Sequence, residues 1–599
     1  MFTTRHRDDD VSLPSLRQAL EALTVPELRP AAERVQFHPP TRKAELVNLL
    51  TRYLLDPTSL ARLVKGMDER TRAAIAEAVH GGGQLQTRAF AAKYGGLPQG
   101  RGDGWLTVLF NGQWRIPDDL CAVLRPLVPV PAPAQLVGKD ELPPETSDDL
   151  DEERTQTVRF TEHAAQADLL AVLRLVEAGS LRCSETTRRP TAGTCKALEA
   201  VLTDGDFYVG IPMAAFAWPL LLQAGGLAEL AGGRLQLTRA GRQALQEPAP
   251  QTLQTLWRRW LERGPIDEFS RVEAIKGQQA SGGRNLTSVP PRRHAVAASL
   301  VDAPMGRWID VDAWFTFMQA AGYDFEVVHD PWRLYLGDPQ YGSFGYEGYG
   351  DWSVVQGRFA LCLLFEYAAT LGMVDVAYTE PAGARDDYAT NWGADDLEAL
   401  SRYDGLRYFR LTPLGAWCLG AAETYSPGPR SSAPTTVLQV LPNLDVVCTG
   451  HPPSAAERLL LERYAAPRSE AVWSLRRDLL LAATARGGGP EELEAFLSER
   501  SAQPLPETVR DLLAQVRERV GLLWDRGTVR LVECADANLA RQLSGDRRLR
   551  GRCTLVGDRH LAVPLGGEEA FAKALWDVGY TLPPETGSPA LAPAPTRRR

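Results

Sequence analysis

The chain has 599 residues, 44% apolar and 24% charged, which are ordinary values for globular protein, and its length predicts several domains that each bury a core. Its formal net charge of −9 gives no global attraction to a phosphate backbone, so nucleic-acid contact has to come from local patches. No window holds the apolar run of a membrane span and the start MFTTRHRDDD lacks a signal-peptide core, so the cytoplasm is the expected compartment, with no membrane partner. The eight cysteines include no CxxC pair and no Cys/His cluster, which indicates neither a zinc site nor a disulfide framework.

Residues 1–60 read as a helical hairpin, Leu13 to Leu23 and Thr41 to Leu54, joined by a turn at Pro39-Pro40. The stretch TRKAELVNLLTRYL is similar to the second half of a SAP motif, a unit often found on DNA, and it equally suits a plain hairpin packed on the next domain. Three repeat-like units follow, within 61–128, 158–250 and 251–424, the last preceded by a helical connector. The first runs from an Asp68-capped helix ending at His80, through a Gly81-Gly82-Gly83 stop and a Thr87–Tyr94 helix, to a wing-like Trp114-Arg115-Ile116. The second and third end alike, in Leu235-Gln236-Leu237-Thr238-Arg239-Ala240-Gly241 and Phe409-Arg410-Leu411-Thr412-Pro413-Leu414-Gly415. Each is a short strand feeding a Thr-capped helix, with glycine four residues after the last apolar strand residue, as the final wing strand of a winged helix requires.

Residues 129–157 are Pro-rich and acidic and are expected to form a flexible linker, because such composition buries too little apolar surface to offset chain entropy. Lys276 to Arg293 reads as a second loose segment, 425–434 as a third, and 584–599 as a disordered tail.

The stretch 436–521 reads as one strand followed by four helices. Val437, Leu438, Val440 and Leu444 to Val447 carry the strand bias, interrupted at Pro442-Asn443. Ser454 with Glu457 is a capping box, Ser474 is placed to cap the next helix, and Pro490 suits a first helical position.

The Pro442 strand, the Ser474-Leu475-Arg476-Arg477 helix, the EELEAFLS helix from Glu491 to Ser498 and the Leu505-Pro506 step into Val509 to Leu513 resemble the helicase-associated domain at the N-terminus of the XPB helicase, found also in bacterial proteins without a motor. Leu441 stands where that family places a Gln before the proline, and Gln439 lies two places earlier. The resemblance continues through Val529 to Glu533, Asp536 to Leu543, Arg552 to Val556, Leu561 to Val563 and Glu568 to Gly579, which look like the β/α unit that follows this domain in bacterial relatives, and it covers roughly the last quarter of the chain, within 435–583. It implies docking to a helicase: in the eukaryotic TFIIH complex a related domain on a neighbouring subunit clasps the XPB one and regulates the motor.

No catalytic signature accompanies these elements. Gly277 to Arg284 (GQQASGGR) lacks the phosphate-loop lysine, Asp151-Glu152-Glu153-Arg154 matches a helicase acidic box only in letters, and GxSxG and HExxH are absent. The expectation is a non-enzyme with no cofactor, metal or small-molecule substrate.

Two basic patches and one aromatic loop carry the functional signal. Arg182, Arg188, Arg189 and Lys196 surround the Thr191 helix start, where phosphate contact from side chains and backbone N–H groups is expected; a solvated loop is the alternative. Arg547, Arg548, Arg550 and Arg552, flanked by Arg541 and Arg559, suit either phosphates or an acidic protein surface. The segment Trp332 to Trp352 offers Trp332, Tyr335, Tyr341, Phe344, Tyr346, Tyr349 and Trp352 as a partner-binding surface, and its carboxylates without lysine favour protein over nucleic acid; packing of an inserted loop is the alternative.

The expected fold is α+β and predominantly helical: tandem winged-helix-like units, an XPB-N-terminal-like domain and a small C-terminal β/α unit. The expected function is a non-catalytic DNA-binding adaptor that docks a helicase or other ATPase in DNA repair, transcription or phage defence. The alternatives are a stand-alone winged-helix regulator and an unrecognised nuclease.

Overall fold

The computed structural model describes residues 15–99, 104–143, 155–280, 283–345, 352–428, 437–501, 503–520, 522 and 527–582; the expected tail lies outside them. The chain is α+β, predominantly helical, with small antiparallel sheets. It divides into two compact units, Met1–Leu479 with Glu491–Leu505, and Leu480–Pro490 with Pro506–Arg599.

The first unit opens with the helices Leu16–Ala22, Val25–Val35 and Lys43–Leu55, which bury Leu16, Leu20, Leu28, Leu46, Leu50 and Leu54 in one core. The Val25–Val35 helix occupies a stretch expected to be a connection. Its prolines hid it: Pro26 sits in the first turn, where no N–H is needed, and Thr24 donates its N–H to Glu27 at 2.7 Å in a capping box. The Glu69–His80 and Thr87–Tyr94 helices lie where expected, and Gln84, in the loop between them, pairs with Arg115.

A central body follows, built around a sheet of strands Thr157–Arg159, Val374–Tyr378, Leu406–Leu411 and Trp308–Asp310 in that order. The expected linker reaches into it: Leu136 is buried in the core, and Lys139 and Trp308 exchange backbone hydrogen bonds of 2.7 and 2.8 Å. A single backbone bridge holds this part of the segment, and residues 144–154 of the expected linker lie outside the described residues. The expected loose segment 276–293 also ends inside structure, because Arg292 and Arg293 are both 1% exposed in the Val289–Val301 helix. Of the third loose segment, 425–428 is docked, with the Tyr425 hydroxyl donating to Glu162 at 2.8 Å.

Two helices form the heart of this body. Ala214–Ala224 is buried from Ala214 to Leu222, and the 353–368 segment, which winds with π-type turns over Ser353–Gly357 and Cys362–Ala368, is buried almost throughout. They pack on each other, Phe207 ahead of the first helix packs against Phe365 of the second at 4.9 Å between ring centres, and an ion-pair layer surrounds them. In that layer Arg271 donates to Glu366 at 2.7 Å, Arg292 to Asp267 at 2.7 Å, Arg293 to Glu268 at 2.7 Å and Arg358 to Asp404 at 3.1 Å.

The expected single strand near 440 is a hairpin, Leu438–Val440 with Asp445–Cys448, turning through Pro442-Asn443 with Leu444 at φ 70°. A second hairpin, Ala465–Ser469 with Val472–Leu475, completes a four-stranded sheet. Ser474 therefore lies in a strand, opposite Asp445 and Ala466, and caps no helix. The Ser454–Glu457 capping box forms, and Pro490 begins the Pro490–Arg500 helix.

In the second unit, strands Val529–Glu533, His560–Pro564 and Thr554–Val556 form a three-stranded antiparallel sheet with His560–Pro564 central. Leu561, Val563, Leu543, Phe571 and Leu575 join the Ala537–Gly545 and Glu568–Asp577 helices to one face, as the alternating pattern of the sequence requires.

Candidate nucleic-acid interface

The first basic patch is organised by a β-bridge. Leu181 leaves the Thr161–Glu177 helix for the core, and Arg182 pairs antiparallel with Arg234, at the start of the Arg234–Leu237 strand. Residues directly opposite in such a pair project to the same side, so two exposed guanidinium groups share one face. Like charges so placed repel, and among the described residues no carboxylate pairs with either. Arg234 was invisible in the sequence because only strand register brings it to Arg182.

Arg188 and Lys196 extend the exposed cationic surface. Arg188 holds a left-handed φ of 62°, unfavourable for a residue with a Cβ, and its carbonyl accepts from Gln223 Nε2 at 3.1 Å. The turn is thus pinned in a conformation that chain preference does not supply. Glu185 is also exposed here, and the patch is basic in balance.

Two expectations for this patch are corrected. Arg189 is half-buried and donates to Ser270 Oγ at 2.9 Å, so it braces the loop and is less open to solvent than Arg182 and Arg188. At the Ala192–Glu199 helix start the Thr194 N–H already donates to the Thr191 hydroxyl at 3.3 Å, leaving less of the backbone for an anion. The helix that follows, Ala214–Ala224, lies in the core and presents no reading face.

The second patch is partly structural. Arg548 donates to the Asp577 carbonyl, Arg552 to the Ala570 carbonyl at 2.8 Å, and Arg559 pairs with Glu533 at 2.9 Å, so three of its arginines brace the Glu568–Asp577 helix or the sheet. Arg547 and Arg550 are exposed.

The aromatic segment divides as well. Phe344 and Trp352 are core residues, at 5% and 6% exposure, and Trp352 Nε1 donates to Asp324 at 2.7 Å. Tyr335 is half-buried in a backbone bridge with Lys276 and Ser343. Trp332 and Tyr341 are exposed, at 55% and 61%; Tyr346 and Tyr349 lie outside the described residues.

No family model matches this sequence, and no curated protein matches it. Among the described residues no group of three or more His, Cys, Asp or Glu is placed to hold a metal, and no helix is long and apolar enough to cross a membrane.

Proposed function

We propose that this chain is a non-catalytic adaptor that holds nucleic acid by its phosphates and docks a helicase or other ATPase motor. The observation that carries the phosphate half is the Arg182–Arg234 cross-strand pair, two exposed arginines opposite one another without a carboxylate partner among the described residues. A phosphate between them relieves their repulsion and accepts from both guanidinium groups.

A winged-helix-like reading of the central body fits the order of its elements. Thr161–Glu177, the Arg182 bridge, Ala192–Glu199, Ala214–Ala224 and the hairpin Ala228–Ala231 with Arg234–Leu237 run helix, strand, helix, helix, wing. Val289–Val301, Trp308–Asp310, Val311–Ala320, the 353–368 helix and the strands Val374–Tyr378 and Leu406–Leu411 repeat that order. Helix-turn-helix proteins that read base sequence place a helix in the major groove, yet the third helix of each repeat is buried against its counterpart. That burial favours backbone contact over base readout and weighs against the stand-alone regulator. The motor half of the reading rests on the resemblance to the XPB N-terminal domain, with which the Pro442 hairpin turn and the capping-box helix are compatible.

The test is binding of the full chain to fluorescent single-stranded and duplex DNA across a salt series, beside Arg182→Ala/Arg234→Ala. A salt slope that is shallower by about 1–2 in the variant is expected. An unchanged slope removes this pair as the phosphate contact.

A further inference from the structure

We propose that the exposed rings of Tyr341 and Trp392, with the carboxylates of Asp338, Asp395 and Asp396, form a recognition surface for an arginine- or lysine-bearing segment of a protein partner. This deepens the adaptor reading and rests on it, by giving the chemistry of the docking partner.

Two separate chain segments build the surface. Residues 334–336 and 342–344 run back against each other, with Leu336 donating its N–H to Gly342 at 3.1 Å and Phe344 to Leu334 at 3.0 Å, which puts Tyr341 at the tip. Successive turns in 388–397, closed by Asn391 N–H to Tyr388 at 3.0 Å and Ala394 N–H to Asn391 at 3.1 Å, carry Trp392 to the same place. The two rings lie 5.7 Å apart at 46°, and Tyr341 and Trp392 are 61% and 50% exposed. Gly337 adopts φ +62°, and a Cβ there would lie 3.6 Å from the Trp392 ring, so the backbone passes close under the indole.

Charge decides the occupant. Half-buried Asp338 accepts through Oδ1 from the Gln340 and Tyr341 N–H groups at 2.7 and 3.2 Å, which holds its carboxylate at the same tip, and exposed Asp395 and Asp396 follow Trp392 in the next turn. Between Arg333 and Arg402 the sequence contains two basic residues, Arg358 and Arg385. Arg358 is buried on Asp404 and Asp387, and Arg385 is paired with Asp312 and Asp387. Arg333 is engaged by Asp330 at 3.2 Å. Exposed π faces on turns that also carry carboxylates attract a cation twice over, through the ring quadrupole and through ion pairing, and they repel phosphate. The surface is therefore opposite in preference to the Arg182–Arg234 patch, and one chain holds sites for an anion and for a cation.

The experiment is fluorescence anisotropy of the full chain with a labelled hexa-arginine peptide and a hexa-glutamine control, at several salt concentrations. Wild type is expected to bind the arginine peptide and not the glutamine one. Trp392→Ala, which leaves the net charge unchanged, and Asp395→Asn/Asp396→Asn are each expected to weaken binding about fivefold or more. Equal binding by wild type and Trp392→Ala would mean diffuse attraction to an acidic protein and overturns the site. Tyr341→Ala serves where Trp392→Ala melts early by circular dichroism. DNA binding measured on the same preparations separates the two claims: no peptide binding with salt-dependent DNA binding intact overturns this surface alone, whereas loss of DNA binding with ring-dependent peptide binding overturns the phosphate half of the adaptor reading and supports this surface.

Discussion

Thr238 and Thr412 are tied into the fold by the same set of hydrogen bonds. Each donates its N–H to the carbonyl after a left-handed glycine, Leu227 at 3.0 Å and Met373 at 3.1 Å. Each hydroxyl donates to that glycine's own carbonyl, Gly226 at 2.8 Å and Gly372 at 2.7 Å, and accepts from the N–H three residues on, Gly241 at 3.1 Å and Gly415 at 2.9 Å. A Cβ on Gly241 or Gly415 would sit 2.0 Å from the Leu227 or Met373 carbonyl oxygen. The repeated sequence ending is thus a repeated lock between the returning strand and the end of a core helix.

Breaking that lock is expected to destabilise the central body. Thr412→Val keeps the side-chain shape and leaves the Gly415 N–H without its buried acceptor, at about 1–3 kcal/mol. Gly415→Ala forces rigid backbone apart and should cost more, and Gly241→Ala should behave alike. Urea unfolding followed by tryptophan fluorescence measures this. An unshifted midpoint in Gly415→Ala would refute the lock.

Local chemistry was legible in the sequence, and register was not. The Thr238–Gly241 and Thr412–Gly415 spacings, the Asp68 cap and the Ser454–Glu457 box are set by neighbours within four residues, and all appear where read. Arg234 belongs to the candidate site only through its pairing with Arg182, a relation that no spacing encodes. Ser474 suits a helix cap by residue type, yet pairing with the Asp445 strand overrides it. Phe344 and Trp352 looked like partner anchors because composition cannot tell a ring turned inward from one turned out.

The Arg182–Arg234 repulsion should show as stability. Arg182→Gln is expected to stabilise the fold at low salt by about 0.2–1 kcal/mol, seen as a slightly raised melting temperature, with the gain fading as salt screens the pair. Differential scanning fluorimetry across ionic strength reads it. A destabilised variant at every salt concentration would show that the arginines support the strand and do not strain it.

The Arg271–Glu366 pair, further held by the Tyr403 hydroxyl donating to Glu366 at 2.6 Å, should be strongly coupled. Glu366→Gln leaves the Arg271 guanidinium buried without its counter-charge, for a loss of about 3–5 kcal/mol. Arg271→Met/Glu366→Leu removes both charges and should recover much of that. A double-mutant cycle in urea decides it, and additive losses would deny the coupling.

Burial of Asp168 gives the body a pH dependence whose sign follows from its raised pKa. Burial pushes its carboxyl up from 3.8 to about 6, against the opposing hydrogen bonds from the Thr203 N–H and hydroxyl at 2.7 and 2.6 Å. Because the folded pKa lies above the unfolded one, the folded state binds the extra proton between them. The Asp168 contribution is therefore fully present below pH about 3.8 and is lost as pH rises through about 6. Asp168→Asn keeps an oxygen acceptor for both Thr203 donors and has no charge to bury. It should therefore be more stable than wild type at pH 7, by about 1–3 kcal/mol, with the difference shrinking towards pH 4. Paired urea titrations at pH 4, 5, 6 and 7 check the trend, and a wild-type advantage that grows with pH would show that the ionised carboxylate is the form the fold prefers.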